Sequence, residues 1–253
     1  MSNFLNGIES SFQLAGPSWV IPGTVAENCR FLSGKVDEVA LLFFETKSCL
    51  AYTYDDLPQD LSECGLSFHI HHPLDLPWNE GGERVAEIVL ALIDKAVHLD
   101  PKSHIIHPPA AGPQAAGLIR DFADVIARSG ATAEEFLFEN IKDNSLLGLT
   151  ETIAECGMKI CLDLGHILAY AQHDLLRDPF LEGRVSMLHL NAPGPKGKHL
   201  GLDHLDVEGL EIMGALLGML NKDGVVNVEV FDEEYFFKSL QLLSDYCILE
   251  KFK

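Results

Sequence analysis

Eight short apolar runs recur along the chain, separated by segments with helical periodicity. They are SWVIP (18–22), EVALLFFE (38–45), LSFHIHH (66–72), HIIHPP (104–109), EFLFENI (135–141), KICLDLGH (159–166), VSMLHLNA (185–192) and VVNVEVF (225–231). Amphipathic helical patterns occupy 83–99, 115–130, 207–220 and the tail from Glu233. Strands alternating with helices pair in parallel, because a right-handed crossover is what packs each helix back onto the sheet. Eight such units close into a (β/α)8 TIM barrel, and 253 residues without a linker suit a single domain over 1–253. A doubly wound open sheet is the alternative, but no glycine-rich phosphate loop follows the first run. Gly65, Gly130, Gly157 and Gly224 stand near helix ends, where a left-handed cap is expected.

In a barrel of this kind, chemistry sits at the C-terminal ends of the strands. The second run ends in Glu45, the third in His69, His71 and His72, and the fourth in His107. The fifth ends in Glu139-Asn140, the sixth in Asp163 and His166, and the seventh in His189 and Asn191. The eighth carries Glu229, and His199, Asp203 and His204 follow the seventh. Each residue has a plain structural reading. Glu139-Asn140 and Asp163 could cap helices, Glu229 could be an ion-pair partner, and His98, His104 and His173 read as core or surface residues. Together they resist that reading, because uncompensated carboxylates and imidazoles converging in one mouth are costly to bury.

A bound divalent cation removes the cost. Mixed imidazole and carboxylate donors without thiolate suit zinc, manganese, iron or cobalt better than magnesium or calcium alone. Glu139, Asp163, His189 and Glu229 suffice for one ion, whereas adding His71, His107, His166 and His199 gives too many donors for one. A cluster of two or three ions is therefore expected, zinc, manganese or iron among the candidates, and such sites suit phosphate-ester chemistry. His69 and His71 share one strand face, while His72 points the other way and reads as structural.

Composition narrows the partner. The chain has 18 basic against 38 acidic residues and a net charge of −20, a poor footprint for gripping phosphate backbones. A small-molecule substrate is expected, with no nucleic-acid and no membrane partner. No apolar run reaches the ~18 residues of a membrane span, and the start MSNFLNGIESSF lacks the pattern of a signal peptide. A cytoplasmic protein is the expectation, with six scattered cysteines as reduced core thiols. Oligomeric state is not legible.

The ordered set HIIHP, LFEN, CLDLGH, LHLN and VEVF resembles the xylose-isomerase-like barrel superfamily, which contains sugar isomerases, epimerases and endonuclease IV. The resemblance implies that Glu139, Asp163, His189 and Glu229 are the shared metal quartet. Against the endonuclease IV branch, His71 or His69, His107 and His166 match further ligand positions. The segment KGKHLGLDHLD departs from that branch, and His199 stands in without an Asp at the usual spacing. PSWVIPGTVAENCRFL, VDEVALLFFE and HIHHPLDLPW look like the bacterial cobamide-remodelling phosphodiesterases, whose resemblance implies hydrolysis of a cobamide nucleotide loop.

The favoured reading is therefore metal-assisted phosphodiester hydrolysis. Glu139 would bridge ions and, with Glu229, carry the catalytic role, while Glu45 and His69 would lie on the substrate side. The alternative is a sugar or sugar-phosphate isomerase or epimerase, with Glu139 and Glu229 as paired bases across one ion. A binding or storage barrel without turnover is the third reading.

Overall fold

The computed structural model describes residues 12–250. Residues 1–11, which carry the N-terminal reading, and the tail beyond Glu250 lie outside the described residues.

Eight parallel strands form a closed barrel, and each pairs with the next in sequence. They are β1 (Gln13–Pro17), β2 (Glu38–Leu42), β3 (Ser67–His71) and β4 (His104–Ile106), then β5 (Phe136–Glu139), β6 (Lys159–Asp163), β7 (Val185–Leu190) and β8 (Val225–Val228). β8 returns to β1 and closes the sheet. The helices are α1 (Val25–Leu32), α2 (Thr46–Leu50), α3 (Gly82–Lys95), α4 (Ala115–Ser129), α5 (Thr150–Glu155), α6 (Leu164–Ala169), α7 (Val207–Met219) and α8 (Glu233–Glu250). A two-stranded antiparallel hairpin, Ala192–Pro193 with His199–Leu200, rises between β7 and α7. Among the described residues, no helix is long and apolar enough to cross a membrane.

Two cores hold the barrel. The larger lies between strands and helices, with Phe122, Phe136 and Phe138 in edge-on or tilted contact and Trp78 against them. The smaller fills part of the barrel interior with Ile105, Leu137, Cys161 and Met187. The cysteines form no disulfide among the described residues.

The first strand departs from the sequence expectation. It is QLAGP (13–17), and residues 18–22 form the turn beyond it. Alanine, glycine and proline are poor strand formers, but this position requires small residues. A side chain at Gly16 would meet the Phe236 ring of α8 at 2.7 Å. Close helix approach overrides local propensity. Gly65, Gly130 and Gly157 have the expected left-handed backbone, at φ 70°, 85° and 73°. Gly224 does not; its neighbour Asp223 takes that conformation instead, at φ 64°.

Gly82 opens α3 where a Cβ would land well inside the van der Waals contact distance of the Leu118 carbonyl oxygen on α4. Neither backbone can yield easily there. Gly82→Ala is expected to destabilise the fold by about 2 kcal/mol, which lowers Tm by ~4–8 °C in a thermal melt. An unchanged melt would show that α3 and α4 can separate at no cost.

Candidate metal centre

Parallel strands place their last inward-facing residues on one rim, so register decides which side chains meet. Asp163 on β6 aligns with His189 on β7, and Asn227 of β8 aligns with the same His189. Glu229 is therefore carried just above His189, past the end of β8. Glu139 ends β5 and is 1% exposed. Its two oxygens face different imidazoles. Oε2 lies 3.2 Å from His71 Nε2 and 3.1 Å from His107 Nε2. Oε1 lies 3.1 Å from His189 Nδ1 and 3.8 Å from His166 Nδ1.

Glu229 supplies the second carboxylate. Its Oε2 stands 3.5 Å from His189 Nδ1 and 3.3 Å from His199 Nδ1, and its Oε1 stands 3.8 Å from His71 Nε2. Donor atoms of Glu139, Asp163, His189 and Glu229 all lie within 4.8 Å of one another, as do those of His71, Glu139 and His189. The eight candidate ligands, His71, His107, Glu139, Asp163, His166, His189, His199 and Glu229, thus converge at the barrel mouth. Six of them, all but Asp163 and His189, line one cavity of about 300 Å³.

Asp163 is both a ligand candidate and a helix cap. Its Oδ1 accepts the backbone N–H of His166 at 2.6 Å, and so starts α6. Its Oδ2 accepts from Asn191 Nδ2 at 2.8 Å. Asn140 holds the same strand end, donating to the Asp163 carbonyl at 3.2 Å and accepting its N–H at 2.7 Å. His166 is turned inward by a 2.8 Å contact from its Nδ1 to the Asn140 carbonyl. Gly165 is small for a reason: a Cβ there would collide with Asn191 Oδ1. The motif DLGH thus keeps its glycine so that Asn191 can reach Asp163.

The substrate-side expectations fare differently. His69 is fully buried inside the barrel, below this cavity, with Nδ1 2.6 Å from Glu38 Oε1. It does not line the cavity, because the strand pleat places it one layer beneath His71. Glu45 is exposed at the start of α2, accepts from Ser48 Oγ at 3.2 Å, and is not among the cavity-lining residues. The His72 ring packs 5.5 Å from the His104 ring, and the residue also borders the cavity. Sequence reasoning missed Glu38, although an acid opening an otherwise apolar run was a visible signal.

Among the described residues, no Lys or Arg pairs with any of these carboxylates. The basic side chains that face them are all histidines. Burial opposes ionisation of Glu139, yet His189, His107 and His71 hold its carboxyl well below the usual range. Glu229 falls to about 2 against burial, under His189 and His199. Burial dominates at Asp163 and raises it. His199 rises to about 9 despite burial, because Glu229 and Asp163 favour its charged form, and His166 and His189 are also raised. Buried carboxylates and imidazoles without ammonium or guanidinium partners are a donor set that fits divalent metal.

A family model described as "Xylose isomerase-like TIM barrel" matches residues 44–246. Three solved structures illustrate the likeness. A D-tagatose 3-epimerase-like protein superimposes with TM-score 0.71 at 18% identity, over 96% of this chain and 100% of the other. Endonuclease IV from Thermus thermophilus gives 0.64 at 18%, over 94% and 99%. The IolI protein with a binding zinc atom gives 0.60 at 12%, over 94% and 96%. At these identities the likeness concerns fold. No curated protein matches the chain in sequence.

The raised histidines set a pH dependence. The protonated His199 ring stabilises the metal-free fold fully below its ordinary 6.5, and that contribution is lost as pH rises through about 9. Tm of chelator-treated protein should therefore fall across this window, whereas metal-loaded protein, with ions in place of protons, should not follow it. Parallel curves for the two forms would rule out metal at these histidines. Gly165→Ala supplies a second check. It should lower metal affinity roughly 10–100-fold, read by competition with a chromophoric chelator, because Asn191 is driven off Asp163.

Proposed function

The chain belongs to the xylose isomerase-like TIM barrel family, and from that premise we propose that it is a metal-dependent phosphodiester hydrolase of a small molecule, cleaving the nucleotide loop of cobamides. One observation carries the hydrolase half. Oε2 of Glu139 faces His71 and His107 and its Oε1 faces His189 and, farther off, His166, more imidazoles than one ion would take. Such a donor set would hold more than one ion, whereas a one-ion isomerase would not need both His71 and His107 as ligands. The stretches PSWVIPGTVAENCRFL, VDEVALLFFE and HIHHPLDLPW support the cobamide half. The net charge of −20 supports a small substrate over DNA.

His71, His107, Glu139, Asp163, His166, His189, His199 and Glu229 would hold two or three divalent ions, zinc, manganese or iron. Such ions supply Lewis acidity toward a phosphate oxygen and lower the pKa of water. The chain's own residues do the rest. Glu139 and Glu229, both held ionised, are the proton acceptors within reach of the cavity. Asn140 and Asn191 lock Asp163 in place. The Trp78 indole N–H donates to the His107 carbonyl at 3.0 Å and fixes the loop beyond β4.

The quartet Glu139, Asp163, His189 and Glu229 alone would hold one ion, with Glu139 and Glu229 as the paired bases. This supports the second reading, a sugar or sugar-phosphate isomerase or epimerase.

Elemental analysis of protein purified without chelator should return two or three ions per chain. Metal-replete protein should release the nucleotide fragment from intact cobalamin, followed by chromatography. His107→Ala should lower that rate by at least ~100-fold, since losing a ligand itself costs more than the roughly 10–100-fold of losing a group that only orients one. A single ion that reconstitution cannot increase, with no cobalamin cleavage, would transfer the assignment to the isomerase.

A further inference from the structure

The barrel mouth is divided. The sector formed by β4 to β7 delivers His107, Glu139, Asp163 and His189. The remaining sector, β8–β1–β2–β3, is contiguous in the closed sheet and adds Glu229 and His71 to the same cluster, but it also carries an apolar margin above them. Each of its four strands carries one exposed apolar side chain two or three residues past its end: Phe231, Trp19, Phe44 and Leu74. They are 38%, 46%, 46% and 65% exposed. Phe44, Leu74 and Phe231 line the same cavity as the metal ligands. Trp19 meets Phe44 edge to face, with ring centroids 5.3 Å apart. Phe231 stacks on the His199 ring at 5.1 Å and 24°. Large exposed apolar residues scattered singly need no account, but four in one arc at a catalytic mouth mark a ligand surface.

We infer that the Trp19–Phe44–Leu74–Phe231 arc is a subsite for a planar apolar ring system attached to the phosphate ester, so that the substrate's polar, scissile end lies toward β4–β7 and its ring lies across β8–β3. This deepens the proposed hydrolase and rests on it for the phosphate end only. The continuity of arc and cavity selects this occupant over a separate protein partner: Phe231 and Phe44 touch the space in which a bound phosphate would sit. A polyol sugar offers these rings only a small C–H face, whereas a conjugated ring offers them a full π surface. Aromatic faces at a rim select instead for conjugated rings, which they contact edge-on or stacked.

The test uses metal-loaded full-length protein and two probes, phenyl phosphate and methyl phosphate, titrated by calorimetry. Phenyl phosphate should bind about 10-fold more tightly, the gain of one or two aromatic contacts. Phe44→Ala and Trp19→Ala should each reduce that ratio toward 1 and leave the Kd of methyl phosphate unchanged. Both side chains are half exposed, so the variants should fold, and their metal content checks this. Equal affinity of the two probes, or a ratio that survives both substitutions, overturns the proposal. So does sedimentation showing that the wild type is a dimer that Phe44→Ala dissociates, which would make the arc a contact between copies. Turnover of bis(p-nitrophenyl) phosphate separates the two claims. Its absence, with the phenyl preference intact, sinks the hydrolase and supports the ring subsite.

Discussion

A carboxylate that is 1% exposed at the centre of a barrel mouth needs positive charge around it, and Glu139 is such a group. Its oxygens are met by His71, His107 and His189, with His166 slightly farther. Among the described residues no ammonium or guanidinium group enters this shell, so the imidazoles around it, or divalent ions held between them, must offset its charge. The charge balance of the cluster hangs on that requirement. Glu229, equally short of basic partners, draws His199 in from the hairpin and raises its affinity for protons.

The barrel makes such a shell possible because its strands are rigid and staggered, and each reaches the rim from a different direction. The polar second layer is local. Asp163 ends a strand, begins a helix and accepts from Asn191, so its carboxylate is fixed by three elements at once. Gly165 leaves room for that amide, and Asn140 ties β5 to β6 through two hydrogen bonds. In Asp163 the helix cap and the ligand candidate turn out to be one residue, since a carboxylate has two oxygens and each can serve a different task.

Much of this was legible in the chain. Strands β2 to β8 announce themselves through apolar runs, and the residues at their ends, from His71 to Glu229, follow from the rule that barrel chemistry sits on one rim. Illegible parts have physical causes. β1 hides in QLAGP because the constraint on it comes from Phe236, more than two hundred residues away, not from its own propensity. Glu45 ended a run but lies beyond the end of its strand, where the chain has already turned into α2. His69 has the right parity but the wrong depth, one pleat below the mouth, where Glu38 is its partner.

The sequence by itself determined the alternation, the strand parity and the kinds of donor available, because these depend on residues close together in the chain. Tertiary structure alone decided depth, register and company: which imidazole faces which oxygen of Glu139, and which apolar side chains from β8 to β3 share a rim with them. Those relations join residues on different strands, whose distances are set by closure of the whole sheet. Local pattern carries no record of them.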